Sequence, residues 1–268
     1  EIDDQGWGAL WIPEAVGREV ISHAALLVEA TKRITVATGV ANVWSRSASA
    51  TAAAQRLLAD ASGGRFLLGL GVSHEPMVAG ILGQSYERPL AKMRSYLDEI
   101  DGAFTTSPGP DADPPRVLAA LGPKMLALAA ERAWGALTYF VPVEHTPVAR
   151  EALGAGPMLC VEQAAVLTTD AEAARDAARR HMQIYLTLPN YTRNLLRLGF
   201  DESDLADGGS DALVDALVAW GDVDAVVERV AQQRAAGADH VCLQVLDTDA
   251  TAVPMAQWRE LAPALLSA

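Results

Sequence analysis

Thr38-Gly39-Val40-Ala41-Asn42 closes one apolar run, and Ser62-Gly63-Gly64-Arg65-Phe66-Leu67-Leu68-Gly69-Leu70-Gly71-Val72-Ser73-His74 carries the next. Both place small or backbone-permissive residues at the carboxyl end of a buried strand, the edge where parallel α/β proteins receive ligands. Glycine there lets a ligand approach the backbone closely. The expected occupant is large and planar.

Outward from this pair, apolar runs bounded by turn residues recur at Ala9-Ile12, Ile34-Thr38, Phe66-Leu70, Arg116-Ala119, Ala136-Val141, Leu159-Leu167 and His240-Leu246. Helical patterns lie between most of them, and that alternation demands a mostly parallel sheet covered by helices. Glu1 to Gly6 reads as the last turn of a helix stopped by glycine. A strand ahead of that helix would bring the seven runs to eight, the number that closes a (β/α)8 barrel. A doubly wound open sheet is the rival. Its dinucleotide fingerprint needs a third glycine after Gly69 and Gly71, at the position occupied by His74.

Helix punctuation places the remainder. Ser47 to Ala61 runs into Gly63-Gly64, Pro89 starts a helix to about Phe104, and Pro123 starts another that stops at Gly135. Thr105 to Pro115 is a surface loop rich in Pro, Gly and Asp. Residues 170 to 234 show no convincing strand. The amphipathic segments Ala171-Leu186, Tyr191-Leu198, Asp211-Trp220 and Val223-Ala235 are read as a helical insertion before the last strand of one barrel domain spanning 1–268. Such an insertion is expected over the barrel mouth, where it would shape a substrate pocket.

Composition narrows the function. Lys and Arg number 21 against 34 Asp and Glu, a net charge of −13 that argues against a nucleic-acid surface and against anionic membranes. No apolar run approaches the roughly 18 residues of a membrane span and no signal peptide is visible, so the expectation is a cytoplasmic protein acting on a small molecule. Cys160 and Cys242 each sit in an apolar run and are expected as buried thiols. No His-x-His, His-Glu-x-x-His or Cys-x-x-Cys spacing implies a metal, and no Gly-x-Ser-x-Gly elbow implies a hydrolase.

Four stretches in order carry a further signal: Trp11-Ile12-Pro13-Glu14, Ala37 through Arg46, Leu58 through Gly71, and Ala120-Leu121-Gly122-Pro123-Lys124-Met125 followed by Ala129 through Gly135. With Gly237-Ala238-Asp239-His240-Val241 before the last strand, they resemble the bacterial luciferase-like monooxygenase superfamily. Within it the chain looks most like the actinobacterial branch that uses the deazaflavin coenzyme F420. The resemblance implies a barrel whose mouth binds the deazaflavin and moves hydride between its C5 and a small organic substrate, in a homodimer. Two other readings stay open: an FMN-dependent two-component monooxygenase on the same fold, and a non-catalytic flavin- or deazaflavin-binding protein.

The resemblance also implies roles. Members hold the cofactor ring against a strand bulge, often with a cis peptide that does not precede proline; Gly39-Val40 is the matching bond, with glycine leaving room for the ring. Asn42 would meet the ring's pyrimidine edge, although a turn-forming Asn fits equally. Glu14 falls where relatives carry an acid near the ring, to orient it or to exchange protons. Sugar-phosphate dehydrogenases of the branch follow that acid with histidine; here Ala15 stands instead, which disfavours that substrate class. Ser73 and His74 fall where relatives contact the cofactor, and His74 is a candidate catalytic group. Leu121, Gly122, Pro123 and Lys124 would take the phosphate at a helix start. Arg46 should pair with an acid near the rim, and Arg65 should be structural. Trp44, Tyr139 and Phe140 could wall the ring, or simply pack the core.

Overall fold

The computed structural model describes residues 1–110 and 112–266. Asp111, within the expected loop at 105–115, lies outside the described residues. The strands are β1 (Ala9–Ile12), β2 (Thr35–Thr38), β3 (Ala41–Asn42), β4 (Phe66–Gly71), β5 (Arg116–Ala119), β6 (Gly135–Thr138), β7 (Met158–Leu167), β8 (Val218–Gly221) and β9 (His240–Leu246). The chain forms two compact units, Asp3–Leu137 and Thr138 onward.

In the first unit the strand order is β1-β2-β4-β5-β6, with β3 on β4 as the continuation of β2. The pairings are parallel, as the interleaved helices require. β4 is buried at all six positions, the signature of a strand covered on both faces. The helix Ala48–Ala61 shows why the covering forms. Ser47 accepts the Ala50 N–H at its start, and a stripe of Ala48, Thr51, Ala52, Gln55, Leu58 and Ala59 is buried. Gly63 and Gly64, both at positive φ, end it and turn the chain into β4. Arg65, at the amino end of β4, donates to the carbonyls of Val28, Thr31 and Ile34, a structural role as expected.

In the second unit β7 pairs in parallel with both β8 and β9. β8 corrects the reading of residues 170 to 234 as strandless. The helix Asp211–Leu217 ends three residues earlier than the amphipathic pattern ran, and Val218–Gly221 leaves it directly as a strand beside the end of β7. Four residues with no turn signal ahead of them continue the helical period, so local pattern alone assigned them to the helix. The helices Ala171–Tyr185, Pro189–Arg197 and Val223–Ala235 lie where helical segments were expected, whereas the short helix Glu202–Leu205 falls between two of them and was not expected.

Among the described residues no helix is long and apolar enough to cross a membrane. Both cysteines are free thiols; Cys160 is buried, Cys242 half-buried.

Candidate active site

β2 and β3 are one strand interrupted by a bulge. Ala37 faces Leu67 on β4 and Ala41 faces Leu70, so the outer strand spends one more residue than β4 over the same span. The Gly39–Val40 peptide inside the bulge is cis, as the resemblance implied. Thr38 closes the gap in the ladder: its buried hydroxyl donates to the Gly69 carbonyl at 2.8 Å and accepts the Gly69 N–H at 2.8 Å. A Cβ on Gly69 would overlap the Thr38 carbonyl oxygen, and one on Gly71 would overlap Val40 Cγ2. The two glycines weighed as part of a nucleotide fingerprint are therefore the seat of the neighbouring bulge. Gly39 itself makes room inward: a Cβ there would lie 3.3 Å from Trp11 Cε3 and 3.7 Å from Leu137 Cδ2.

The strand end beyond the bulge is fixed by charge. The Asn42 N–H donates to Glu14 Oε2 at 2.6 Å, Arg46 Nη1 donates to the same oxygen at 2.9 Å, and Arg46 Nη2 pairs with Glu14 Oε1. Arg46 also reaches Glu19 Oε1 at 2.7 Å. The acid expected to pair with Arg46 is thus Glu14, and the partly buried pair holds the guanidinium above its ordinary pKa against the opposing pull of burial. Glu19, which also caps the helix Val20–Ala30, is drawn down to about 2 by the Ser22 and Ile21 amides and by Arg46, despite burial. The Asn42 side-chain oxygen accepts the Trp44 N–H at 3.0 Å, so Asn42 does form the turn, and Nδ2 is its remaining polar group.

Past β4, Ser73 sits at φ 56 and its carbonyl accepts the Tyr86 hydroxyl at 3.1 Å. Trp44 Nε1 donates to the Val72 carbonyl at 2.9 Å, and its ring lies 5.8 Å from that of Tyr86. The Lys92 ammonium lies 5.2 Å from the Trp44 ring centroid. His74 is half-buried, and burial lowers its pKa. Glu14, Asn42, Trp44 and Ser73 are thereby linked through the ends of β1, β3 and β4.

At the end of β5, Leu121 and Gly122 are half-buried and Gly122 caps the ten-residue helix Pro123–Arg132. Lys124 is exposed in its first turn, which carries no acidic residue. Pro123 has no N–H, and the Met125 N–H bonds the Gly122 carbonyl, so Lys124 supplies both the amide and the cation of this helix start.

Tyr139 belongs to the second unit. Its hydroxyl lies 2.8 Å from the Tyr185 hydroxyl and 2.9 Å from Gln244 Oε1. The rings of Tyr185 and Tyr191 lie 5.3 and 6.2 Å from that of Tyr139, and Phe140 packs on the same two rings at 5.0 and 5.3 Å. His181 joins them 5.0 Å from Tyr185. Sequence reading passed over Tyr185, Tyr191, Gln244 and the buried Glu162. The available signal was three tyrosines, one just after β6 and one each in the helices Ala171–Tyr185 and Pro189–Arg197, which only the fold brings together.

Parallel strands alternating with helices, a glycine-seated bulge and a charge-fixed strand end make up the candidate site. The chain belongs to the luciferase-like monooxygenase family, whose sequence profile matches residues 1–240. A Mycobacterium tuberculosis protein assigned as a coenzyme F420-dependent oxidoreductase is 28% identical over 297 aligned positions, covering 88% of this chain and 86% of the relative. A 5,10-methylenetetrahydromethanopterin reductase of Methanolobus tindarius is 30% identical, covering 80% and 73%. Among solved structures, the F420-dependent tetrahydromethanopterin reductase of Methanopyrus kandleri superposes with a TM-score of 0.78 at 19% identity, over 99% of this chain and 92% of that one. An FMN-bound Baeyer-Villiger monooxygenase component from Pseudomonas putida gives 0.70 at 19%, over 97% and 87%. The (β/α)8 fold expected from the sequence is the fold these structures share with the chain.

Proposed function

We propose that the protein is a coenzyme F420-dependent oxidoreductase that moves hydride between the deazaflavin C5 and a small organic substrate. The bulge at Thr38–Val40 carries this reading. It would offer a flat ring a shelf of backbone and Val40 side chain, for which the missing side chains of Gly69 and Gly71 leave room. Asn42 Nδ2 would donate to the ring's pyrimidine edge. Glu14 takes donors on both oxygens, and that geometry supports orienting Asn42 and Arg46 over exchanging protons. His74, kept toward the neutral imidazole by burial, can accept or share a proton beside the ring. Gly122 and Lys124 would hold the phosphate, a local cation in a chain of net charge −13.

The cofactor, when bound, supplies the hydride chemistry, and the protein supplies orientation and exclusion of water. The Mycobacterium tuberculosis relative and the F420-dependent reductase of Methanopyrus kandleri favour the deazaflavin. The FMN-bound neighbour favours the second reading, a two-component monooxygenase. Lys124→Ala tests the phosphate grip: cofactor affinity should fall roughly tenfold, the worth of one charge-assisted hydrogen bond, with the fold unchanged. Unaltered affinity would remove Lys124 from the site.

A further inference from the structure

Parallel register sorts the first unit's sheet into two faces. Trp11 on β1 faces Ala37 on β2, Ala37 faces Leu67 on β4, Gly69 faces Val117 on β5, and Ala119 faces Leu137 on β6. Registered neighbours in a parallel sheet point to the same side, and so do residues two apart on one strand. Trp11, Ala37, Leu67, Val117 and Leu137 therefore share a face, and Trp11 packs on the buried Ala37, Leu67 and Val117. All of them belong to the first unit.

This face is concave at the bulge. A Cβ on Gly39 would lie 3.3 Å from Trp11 Cε3, 3.5 Å from Trp11 Cβ and 3.7 Å from Leu137 Cδ2. Trp11 comes from the adjacent strand, but β6 stands three strand steps from β2, about 14 Å in a flat sheet. Only a sheet curled toward this side brings both residues to one glycine. The space in front of Gly39 is thus filled, with Trp11 making the nearer contact through a rigid ring. β1 also fixes Gly39 through its backbone, where the Gly39 N–H donates to the Ile12 carbonyl at 2.8 Å. The next residue is gripped from another strand: the Val40 methyl groups occupy the room that side chains on Gly69 and Gly71 would take.

Resting on the oxidoreductase reading above, we propose that Trp11 is a positioning residue for the cofactor: its indole sets how far Gly39 and Val40 stand out from the sheet, and with them the surface that the deazaflavin ring meets. A smaller side chain at position 11 lets this segment sink toward the concave side, and a larger one at position 39 pushes it outward. Either change shifts the shelf against Asn42, whose N–H the Glu14 carboxylate holds in place. A rigid ring can then no longer rest on Val40 and meet the Asn42 amide at once. Trp11 acts through Gly39.

Fluorescence titration with F420, alongside denaturant unfolding of the same samples, tests this. Trp11→Phe removes the indole Cε3, and Gly39→Ala sets a methyl group 3.3 Å from that atom. Each should weaken F420 binding about fivefold or more, the low end of a misfit in a packed contact. The double variant should bind better than the product of the two effects, because the lost indole atom makes room for the added methyl group. The visible absorption band of bound F420 should shift in each single variant, which a loss of stability alone does not cause. Unchanged F420 affinity in Trp11→Phe, an unshifted band, or single effects that simply multiply overturn the inference. The Trp11→Phe comparison stands even where Gly39→Ala does not fold. Wild type that binds no F420 defeats the oxidoreductase reading and this inference with it, whereas binding indifferent to Trp11 defeats the positioning role alone.

Discussion

Arg46 forks onto Glu14, one guanidinium nitrogen to each carboxylate oxygen, with side chains only 13% and 11% exposed. The pair ties the turn after β3 to the loop after β1, and the Asn42 amide on Glu14 makes it a three-way junction. Removing one partner leaves the other charge uncompensated in a largely dry setting. Arg46→Ala should cost about 3 kcal/mol in denaturant unfolding, and Arg46→Lys should recover less than half, because an ammonium cannot supply the planar fork. Equal stability of the Lys variant and wild type would show that the fork is dispensable.

Gly71 and Val40 form a second coupled pair. Gly71→Ala places a methyl group against Val40 Cγ2, an overpacking that should cost about 1–3 kcal/mol. Val40→Ala in the same chain should return most of that loss, because it removes the opposing methyl groups. A double-mutant cycle by thermal or denaturant unfolding measures the coupling, and simple additivity would mean that the bulge adjusts independently of β4.

Glu162 makes a pH prediction with a definite sign. Its folded pKa of about 7 lies above the ordinary 4.5, so its neutral form favours the folded state, fully below 4.5 and progressively less as pH rises through 7. Wild type should therefore lose up to about 3 kcal/mol of stability across that window relative to Glu162→Gln. The stability difference between the two proteins, followed by chemical denaturation from acid to mildly alkaline pH, should move in favour of the Gln variant. A difference constant with pH would show Glu162 to be ordinary.

Much of this architecture was legible in the sequence. Ser47, Pro89 and Pro123 mark helix starts, and Gly63-Gly64 marks an end, because capping and φ preference are local physics that survive in any context. Arg46 and Glu14 could be named as partners in kind, a cation and an acid at the rim, although they lie 32 positions apart. What the sequence hid depended on tertiary placement. Val218–Gly221 becomes a strand because β7 extends far enough to pair with it. Gly69 and Gly71 looked like ligand-facing glycines, yet their reason is the residue crossing beside them on the next strand. Glu162 sits in an apolar run that reads as uniformly buried strand, and only the faces of β7 and β9 reveal it as a lone carboxyl among phenols.

The central claim is that the bulge and the Lys124 helix start receive a deazaflavin. Parallel fluorescence titrations of the full-length chain with coenzyme F420 and with FMN test it most directly. F420 should bind at least tenfold more tightly than FMN, a preference of about 1.4 kcal/mol, and Gly71→Ala should weaken that binding. FMN binding the tighter of the two, or neither cofactor binding at all, would contradict the account.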